Sequence, residues 1–241
     1  MESLPQENST PDEWYSKRKK HWEQKEATMK SVLGGWEETH LPDIKCSNEL
    51  LAGLIYSKQL KSGKALDCGA GIGRVTEYVL LNHFEMIDLM EQDEKFVNKS
   101  KEILKDNPKI RNITCSPLQT FDFNNEKYDL MWIQWCLENI EDQDLNKFMD
   151  KCREHLNDDG VIIVKENYFS QLNEKEIENK KEFEYSEEDL SKQRRDSFYI
   201  NLFVKHKFKI IKHFVNPNWP SSIMPLIVYV LIKEKNGNNN L

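Results

Sequence analysis

The chain contains 241 residues, of which 38% are hydrophobic and 31% charged, and its formal net charge is -7. This composition excludes a disordered chain and is that of a globular protein with a heavily charged surface. The length accommodates one large α/β domain but is short for two enzyme domains, so we predict a single domain over residues 1–241. The acidic balance disfavours nonspecific binding to phosphates, so we expect no nucleic-acid partner.

Neither end of the chain predicts a membrane segment. The longest nearly apolar run, 223–232, is about half as long as a bilayer span and contains Pro225. The first thirty residues lack the apolar core of a signal peptide, so we expect a cytoplasmic or nuclear protein. The five cysteines are odd in number and show no C-x-x-C spacing, so we predict neither a disulfide framework nor a metal site.

The N-terminal part of the chain predicts helices ahead of the core. Residues 1–12 are polar and contain proline, and we expect them to be disordered. Residues 13–60 are interpreted as an N-terminal helical extension that contributes to the substrate site, interrupted at Gly34 and Gly35. The predicted helices of this extension are 14–29 and 44–59.

Strand and helix patterns then alternate over 61–233, which predicts an α/β fold with helices on both faces of a largely parallel sheet. The predicted strands are 64–68, 84–91, 110–115, 128–134, 160–165, 208–214 and 225–233. The predicted helices between them are 75–82, 95–105, 142–156 and 197–206. A charge-rich stretch at about 166–196 is interpreted as an insertion, and 234–241 as a flexible tail.

A glycine-rich segment, 67–74, follows the first core strand and reads Asp-Cys-Gly-Ala-Gly-Ile-Gly-Arg. Glycines at such a turn let the backbone approach a bound nucleoside without interference from a Cβ atom. The dinucleotide pattern G-x-G-x-x-G and the Walker loop are both absent. An aspartate two residues before the first glycine is typical of S-adenosylmethionine-dependent methyltransferases, whose Rossmann-like sheet has seven strands and an antiparallel last strand.

The acid at the end of the second strand supports this cofactor, S-adenosyl-L-methionine, which would leave as S-adenosyl-L-homocysteine. Glu91 is placed to accept hydrogen bonds from the ribose hydroxyls, Arg74 to meet the cofactor carboxylate and Leu118-Gln119 to lie beside the adenine. Each has a plainer alternative as a solvated, turn or loop residue. The predicted cofactor residues from these patterns are Asp67, Gly69, Gly71, Gly73, Arg74, Glu91, Leu118 and Gln119.

Segments 66–74 and 132–135, taken together, resemble the eukaryotic alpha-N-terminal protein methyltransferases. These enzymes methylate the α-amine of proteins that begin Xaa-Pro-Lys or Xaa-Pro-Arg once the initiator methionine is removed. Further matches run from about Tyr15 to Leu231 and include Leu33-Gly34-Gly35 and Lys165-Glu166-Asn167. The resemblance implies direct in-line methyl transfer to a deprotonated amine. The partners would be the N-terminal segments of proteins with Pro second and Lys or Arg third.

The resemblance also implies roles for individual residues. Asn167 would hold the amine through its carbonyl oxygen, Asp189 would accept a proton as the catalytic carboxylate, and Gln134 would contact the cofactor. Trp22 and Trp135 would pack against the substrate proline, although each also fits a core aromatic. The implied substrate-binding residues are Trp22, Leu33, Gly34, Trp135, Asn139, Ser191 and Met224.

The sequence departs from the family pattern at several implied site positions. Asn139 stands where many members have an active-site histidine, and Met224 where tyrosine is frequent. Ser186 replaces an expected acidic contact for the third substrate residue, for which the candidates are Glu184, Glu187 and Glu188. Two alternatives remain open: a methyltransferase acting on a metabolite or lipid head group, and a catalytically silent member that binds cofactor or a partner.

Overall fold

The computed structural model describes residues 10–168, 183–186 and 191–235. Strands β1 to β9 are, in chain order, Lys64–Cys68, Met86–Glu91, Ile110–Cys115, Tyr128–Gln134, Leu156–Asn167, Phe183–Tyr185, Lys192–Arg194, Phe208–Val215 and Leu226–Lys233. Helices α1 to α7 are Pro11–Gln24, Met29–Val32, His40–Tyr56, Leu81–His83, Glu94–Ile103, Asp142–His155 and Asp196–Lys205. A π-helical turn, Thr76–Leu80, runs directly into α4.

Seven strands form one sheet in the order β3-β2-β1-β4-β5-β9-β8. Strands β1 to β5 pair in parallel, whereas β9 is antiparallel to both β5 and β8. The predicted mostly parallel sheet with an antiparallel last strand is therefore confirmed. The strand order reverses between β1 and β4, and ligands of such sheets bind in the crevice outside the carboxyl ends of the strands at this point.

Two apolar clusters cover the two faces of the sheet. One contains Met131 and Phe148, and the other contains Trp132 and Leu54, all fully buried. Residues 130–133 of β4 enter the two clusters alternately, which explains why this stretch is apolar throughout instead of alternating with polar residues.

The helical extension differs in its boundaries from the prediction. Helix α1 begins at Pro11 because Thr10 and Glu13 form a capping box, so residues 10–12 belong to a helix start and the predicted disorder is wrong for them. Helix α1 ends at Gln24, and a separate short helix begins at Met29 behind a second threonine cap.

The extension is fastened to the core by its first helix. Trp14 is fully buried, and the Tyr15 hydroxyl donates to Asp144 Oδ2 at 2.9 Å and accepts from the Glu141 backbone N–H at 3.1 Å. Helix α3 begins at His40, four residues before the predicted start. Val32 of the extension lies against Gly71, so the extension reaches the end of the sheet where the glycine-rich segment lies.

The fifth strand is longer than predicted at both ends. It runs to Asn167 because residues 161–167 all pair with β9, so the insertion begins later than the predicted 166. The described part of the insertion is an antiparallel hairpin in which Phe183 pairs with Arg194.

Within the described ranges, no helix combines the length and apolar character needed to cross a membrane. The same residues contain no cluster of His, Cys, Asp and Glu suited to a metal ion. The cytoplasmic or nuclear location stays a prediction.

Candidate active site

A cavity of about 440 Å³ lies at the carboxyl ends of the central strands, between the glycine-rich segment and the helical extension. Fifteen of the residues predicted from the sequence line it together: Trp22, Leu33, Gly34, Asp67, Gly69, Gly71, Arg74, Glu91, Leu118, Gln119, Gln134, Trp135, Asn139, Asn167 and Met224. Residues far apart in the chain thus share one chamber.

Three predicted residues are not placed in this wall. Gly73 has φ +82°, and a Cβ there would stand 3.0 Å from the Leu104 side chain. This glycine therefore permits close packing against the end of α5. Ser191 is fully buried, and its carbonyl accepts from the Ser186 backbone N–H at 3.0 Å. Asp189 lies outside the described residues, as do Glu187 and Glu188 and the side chain of Glu184.

The glycine-rich segment turns sharply after β1 with its backbone in the left-handed region. Gly69 and Gly71 have φ values of +68° and +56°. A Cβ at Gly69 would stand 3.0 Å from the Cys136 Cβ atom. A side chain at either position would therefore be strained, and glycine leaves the peptide edge open to a ligand.

Glu91 is held at the edge of this turn by backbone N–H groups. Its Oε2 accepts from Gly71 at 2.9 Å and its Oε1 accepts from Asp93 at 3.0 Å. Burial raises the pKa of this carboxyl, while the backbone donors lower it. The carboxylate is thus oriented before any ligand arrives, with acceptor capacity remaining for hydroxyl groups.

Asp67 is buried beneath the same turn. Its Oδ2 accepts from the Thr76 hydroxyl at 2.7 Å, which ties the end of β1 to the helix that follows. Burial raises the pKa of Asp67 to about 6, although the Thr76 hydrogen bond and the charge of Arg74 lower it.

Arg74 is fixed by a buried network that sequence reasoning missed. Its Nη2 donates to Asp43 Oδ2 at 2.7 Å, and Asp43 also pairs with Lys165 Nζ. Gln134 Nε2 donates to the same Asp43 oxygen at 3.0 Å. The Nη1 atom of Arg74 is buried and has no hydrogen-bond partner among the residues that the structure describes. Arg74 can therefore donate from Nη1 to an anionic group of a ligand in the cavity.

Trp135 lies at the end of β4 in a conformation that non-glycine residues seldom adopt, with φ +54°. Its backbone N–H donates to the Lys165 carbonyl at 3.0 Å. The Arg74 guanidinium carbon lies 5.3 Å from its ring centroid, and the Trp219 ring packs 6.2 Å away. The surroundings therefore impose the strained backbone and direct the indole into the cavity wall.

Asn167 and Asn139 bring two amide groups to the cavity. Asn167 Nδ2 donates to the carbonyls of Met224 at 2.9 Å and Pro225 at 3.4 Å, which leaves its Oδ1 as the group for a ligand. Asn139 Nδ2 donates to the Trp135 carbonyl at 2.9 Å. Neither amide can take up a proton, so this pair orients a polar ligand without acting as a base.

Three further wall or support residues carried no usable sequence signal. Asp43 reads as an ordinary acid in the first turn of a helix, and its partners lie on other elements. Trp219 reads as a core aromatic, yet it lines the cavity and donates from Nε1 to the Met224 carbonyl at 2.9 Å. Glu138 adds a nearly buried carboxyl to the wall.

Residues 10–232 match the family model described as AdoMet dependent proline di-methyltransferase. The chain belongs to this family. The predicted resemblance is thereby confirmed, and the cofactor is S-adenosyl-L-methionine.

Related proteins agree with this placement. The chain is 33% identical to Alpha N-terminal protein methyltransferase 1 of Dictyostelium discoideum, and the match covers 95% of this chain and 83% of that protein. It is 36% identical over 158 residues to the human N-terminal Xaa-Pro-Lys N-methyltransferase 1, covering 64% of this chain and 71% of that protein. A solved SAM-dependent methyltransferase from Leishmania major superposes with a TM-score of 0.81 at 30% identity, over 92% of this chain and 85% of that one.

The observed residues fit this cofactor. The buried Arg74 Nη1, which has no partner in the described part of the chain, suits a carboxylate, and the oriented Glu91 suits a ribose diol. The bare backbone at Gly69 and Gly71 suits close approach of the nucleoside. Gln134 is the exception among the predicted contacts. Its Oε1 accepts from Trp132 at 3.0 Å and its Nε2 donates to Asp43, so its side chain serves mainly to support Arg74 through Asp43.

Gly69→Ala is expected to lower the free energy of unfolding by about 1–2 kcal/mol, because alanine is strained at positive φ. The displaced turn should weaken adenosylmethionine binding about tenfold, measured by calorimetry. Gly53→Ala is the matched control, since Gly53 lies inside α3 and an added Cβ meets nothing within 4 Å. The control should be neutral or stabilising, and equal loss in both variants would contradict a role for the turn.

Proposed function

We propose that this chain transfers methyl groups from S-adenosyl-L-methionine to the α-amine of polypeptides with Pro second and Lys or Arg third. The observation that carries the proposal is the shared cavity, in which Trp22, Trp135 and Asn167 line the same chamber as the cofactor residues. The names of the relatives support the same acceptor, since several act on N-terminal Xaa-Pro-Lys.

One half of the cavity would bind the methyl donor, S-adenosyl-L-methionine. Glu91 would accept from the ribose hydroxyls, Arg74 would pair with the carboxylate, and Leu118-Gln119 would border the adenine. When bound, the cofactor supplies an electrophilic methyl group on a sulfonium. Transfer to an amine then depends on alignment, so the protein contributes by fixing the donor and acceptor at one distance and angle.

The acceptor half would receive the start of a polypeptide. The indole rings of Trp22 and Trp135 provide flat apolar surfaces for a proline ring, and the Trp22 ring is itself supported edge-on by Phe96 at 5.9 Å. Leu33, Gly34 and Met224 line the same chamber. A narrow aromatic slot favours a chain terminus over a side chain that projects from the middle of a protein.

The amine would be held by Asn167 through Oδ1, with its Nδ2 already committed to Met224 and Pro225. A free α-amine has a pKa of about 7.7–8.0, so an appreciable fraction is neutral near physiological pH. Asp189 is proposed to accept the remaining proton. Asn139, in place of the histidine usual in the family, would orient the substrate and take no proton.

The third substrate residue would meet an acidic environment. Ser186 lines the cavity where an acid was expected, and Glu138 is the carboxyl that the described wall adds beside Trp135 and Asn139. We propose Glu138 as the contact for Lys or Arg.

The function is tested by initial rates on a peptide panel with one cofactor preparation. A peptide that begins Ser-Pro-Lys should be methylated, whereas Ser-Ala-Lys and Ser-Pro-Glu should be methylated about tenfold more slowly or worse. Equal rates on all three peptides would contradict recognition of proline and of the basic residue.

Asn167→Ala is expected to lower kcat on the Ser-Pro-Lys peptide about a hundredfold, because the amine loses its oriented acceptor. Adenosylmethionine affinity should stay within about threefold of the parent, since Asn167 does not hold the cofactor. The control is Asn157→Ala, which removes an amide that donates to Asp129 Oδ1 at 2.8 Å. Neither residue lines the cavity. An unchanged kcat in Asn167→Ala would show that the amine is held elsewhere.

A further inference from the structure

The segment between β4 and α6, residues 135–141, is here called the tryptophan loop. Five of its residues line the cavity: Trp135, Cys136, Glu138, Asn139 and Ile140. Its internal structure is slight: a strained Trp135 backbone followed by one 3-10 turn, Leu137–Asn139. A loop of this kind keeps one shape only if neighbouring elements hold its peptide groups.

Glu166 holds the loop from the sheet. This residue is fully buried on β5, and its Oε1 accepts from the backbone N–H groups of Cys136 at 3.0 Å and Leu137 at 2.8 Å. A single carboxyl oxygen thus fixes two successive peptide groups directly after Trp135. Neighbouring Lys165 and Asn167 serve the Asp43 network and the cavity, so this end of β5 supports both halves of the site.

Arg194 holds the same loop from the hairpin. It is fully buried on β7, and it donates from Nη1 to the Leu137 carbonyl at 2.8 Å and from Nη2 to the Ile140 carbonyl at 2.7 Å. Its Nη2 also donates to Asp142 Oδ1 at 2.6 Å, at the start of α6. The planar fork of a guanidinium suits this bridging geometry, which a lysine ammonium cannot reproduce.

The two side chains face one another around an incompletely bonded polar cluster. Glu166 Oε2 is buried with no hydrogen-bond partner among the described residues, and Arg194 lies beside the buried Tyr199 hydroxyl. Burial raises the pKa of the Glu166 carboxyl, while the two backbone donors and the charge of Arg194 lower it. Such a cluster costs stability compared with an apolar core, so its presence calls for a benefit other than stability.

We propose that Glu166 and Arg194 are positioning residues, which together clamp the tryptophan loop and so set the acceptor side of the cavity without touching the substrate. The inference rests on the proposed function for the identity of the acceptor. Because Arg194 belongs to the hairpin, the clamp also fixes where the insertion meets the wall. The clamp acts on the acceptor half, whereas the Asp43 network acts on Arg74 and the cofactor half.

The kinetic test compares Glu166→Gln with Glu166→Met. Glutamine keeps an oxygen that can accept both N–H groups, so kcat/KM for the Ser-Pro-Lys peptide should stay within about threefold of the parent. Methionine has similar length and no acceptor, so kcat/KM should fall about tenfold or more with adenosylmethionine affinity nearly unchanged. Tyr128→Phe is the control, because it removes a buried hydroxyl that donates to Asp88 Oδ2 at 3.1 Å. Neither residue lines the cavity.

Arg194→Lys keeps the test decisive if Glu166→Met does not fold. Lysine retains the charge but cannot bridge both carbonyls, so it should also lower peptide kcat/KM about tenfold. A folded Arg194→Lys with parental kcat/KM would overturn the proposal, as would a Glu166→Gln variant as impaired as Glu166→Met.

Hydrogen exchange separates this inference from the proposed function. In the parent protein the amides of Cys136 and Leu137 should be protected, and Glu166→Met should accelerate their exchange about tenfold or more while β4 amides stay protected. Unchanged exchange would contradict the clamp whatever the substrate is. If the clamp is seen by exchange but the parent methylates no peptide, the clamp stands and the proposed function fails.

Discussion

Asp43→Asn is expected to lower the free energy of unfolding by about 3–5 kcal/mol, because Lys165 and Arg74 would remain buried with no anion between them. Asp43 is fully buried, whereas an exposed ion pair would contribute little. Adenosylmethionine affinity should fall about a hundredfold, since Arg74 would lose the partner that orients its guanidinium toward the cofactor. Chemical denaturation and calorimetry measure the two effects.

The same substitution should change the acid limb of the stability profile. Burial alone would raise the pKa of Asp43, but Lys165 and Arg74 outweigh it and lower the pKa to about 2. A group with a lowered folded-state pKa stabilises the protein above its ordinary pKa of about 3.9, and this contribution is lost as pH falls through the folded value. The difference in Tm between the parent and Asp43→Asn should therefore shrink as pH falls from 5 towards about 2.

Asp88→Asn is the matched control for both readouts. Asp88 is also a buried aspartate, but its hydrogen bonds come from the neutral groups of Asn112 at 2.8 Å and Tyr128 at 3.1 Å, and its cationic neighbour Arg111 lies 3.9 Å away and is partly exposed. The control should lose less stability and bind the cofactor normally. If Asp43→Asn binds adenosylmethionine as tightly as Asp88→Asn does, the network does not position Arg74.

Trp135→Gly is expected to lower kcat/KM for the Ser-Pro-Lys peptide about a hundredfold, because the proline would lose an aromatic wall and Arg74 would lose the ring above it. Glycine adopts φ +54° without strain, so Trp135→Gly should be more stable than Trp135→Ala by about 1 kcal/mol. Comparing the free energies of unfolding of these two variants separates the effect of backbone strain from the effect of losing the indole.

Lys207→Gly controls for the relief of backbone strain alone. Lys207 has φ +60° and lies away from the cavity, so glycine should leave activity unchanged. Parental kcat/KM in Trp135→Gly would mean that the indole does not contact the substrate. A Trp135→Gly variant less stable than Trp135→Ala would contradict the assignment of strain to this position.

The sequence was sufficient for the sheet and for the glycine-rich segment because both are local patterns. Strand β1, its turn and the following helix occupy one continuous stretch, and the cofactor residues stand at predictable ends of strands. The start of α1 was also readable in principle. Thr10 and Glu13 have capping-box spacing, and this signal outweighs the polar composition that suggested disorder.

The remainder depended on contacts between distant elements. Asp43 and Lys165 look like surface charges until α3 packs over the end of β5, and Glu166 looks the same until the tryptophan loop lies beside it. The length of β5 was missed because pairing with β9 extends it into a charged segment that local pattern assigns to a loop. The local sequence pattern does not show that these charged side chains are buried.

Tandem mass spectrometry of the product shows most directly which atom receives the methyl group. The substrate is a Ser-Pro-Lys peptide with a free α-amine, and its partner is the same peptide with an acetylated N-terminus. We predict methyl groups on the terminal nitrogen of the free peptide and none on the blocked one. Methylation of the lysine side chain, or of the blocked peptide, would contradict transfer to the α-amine.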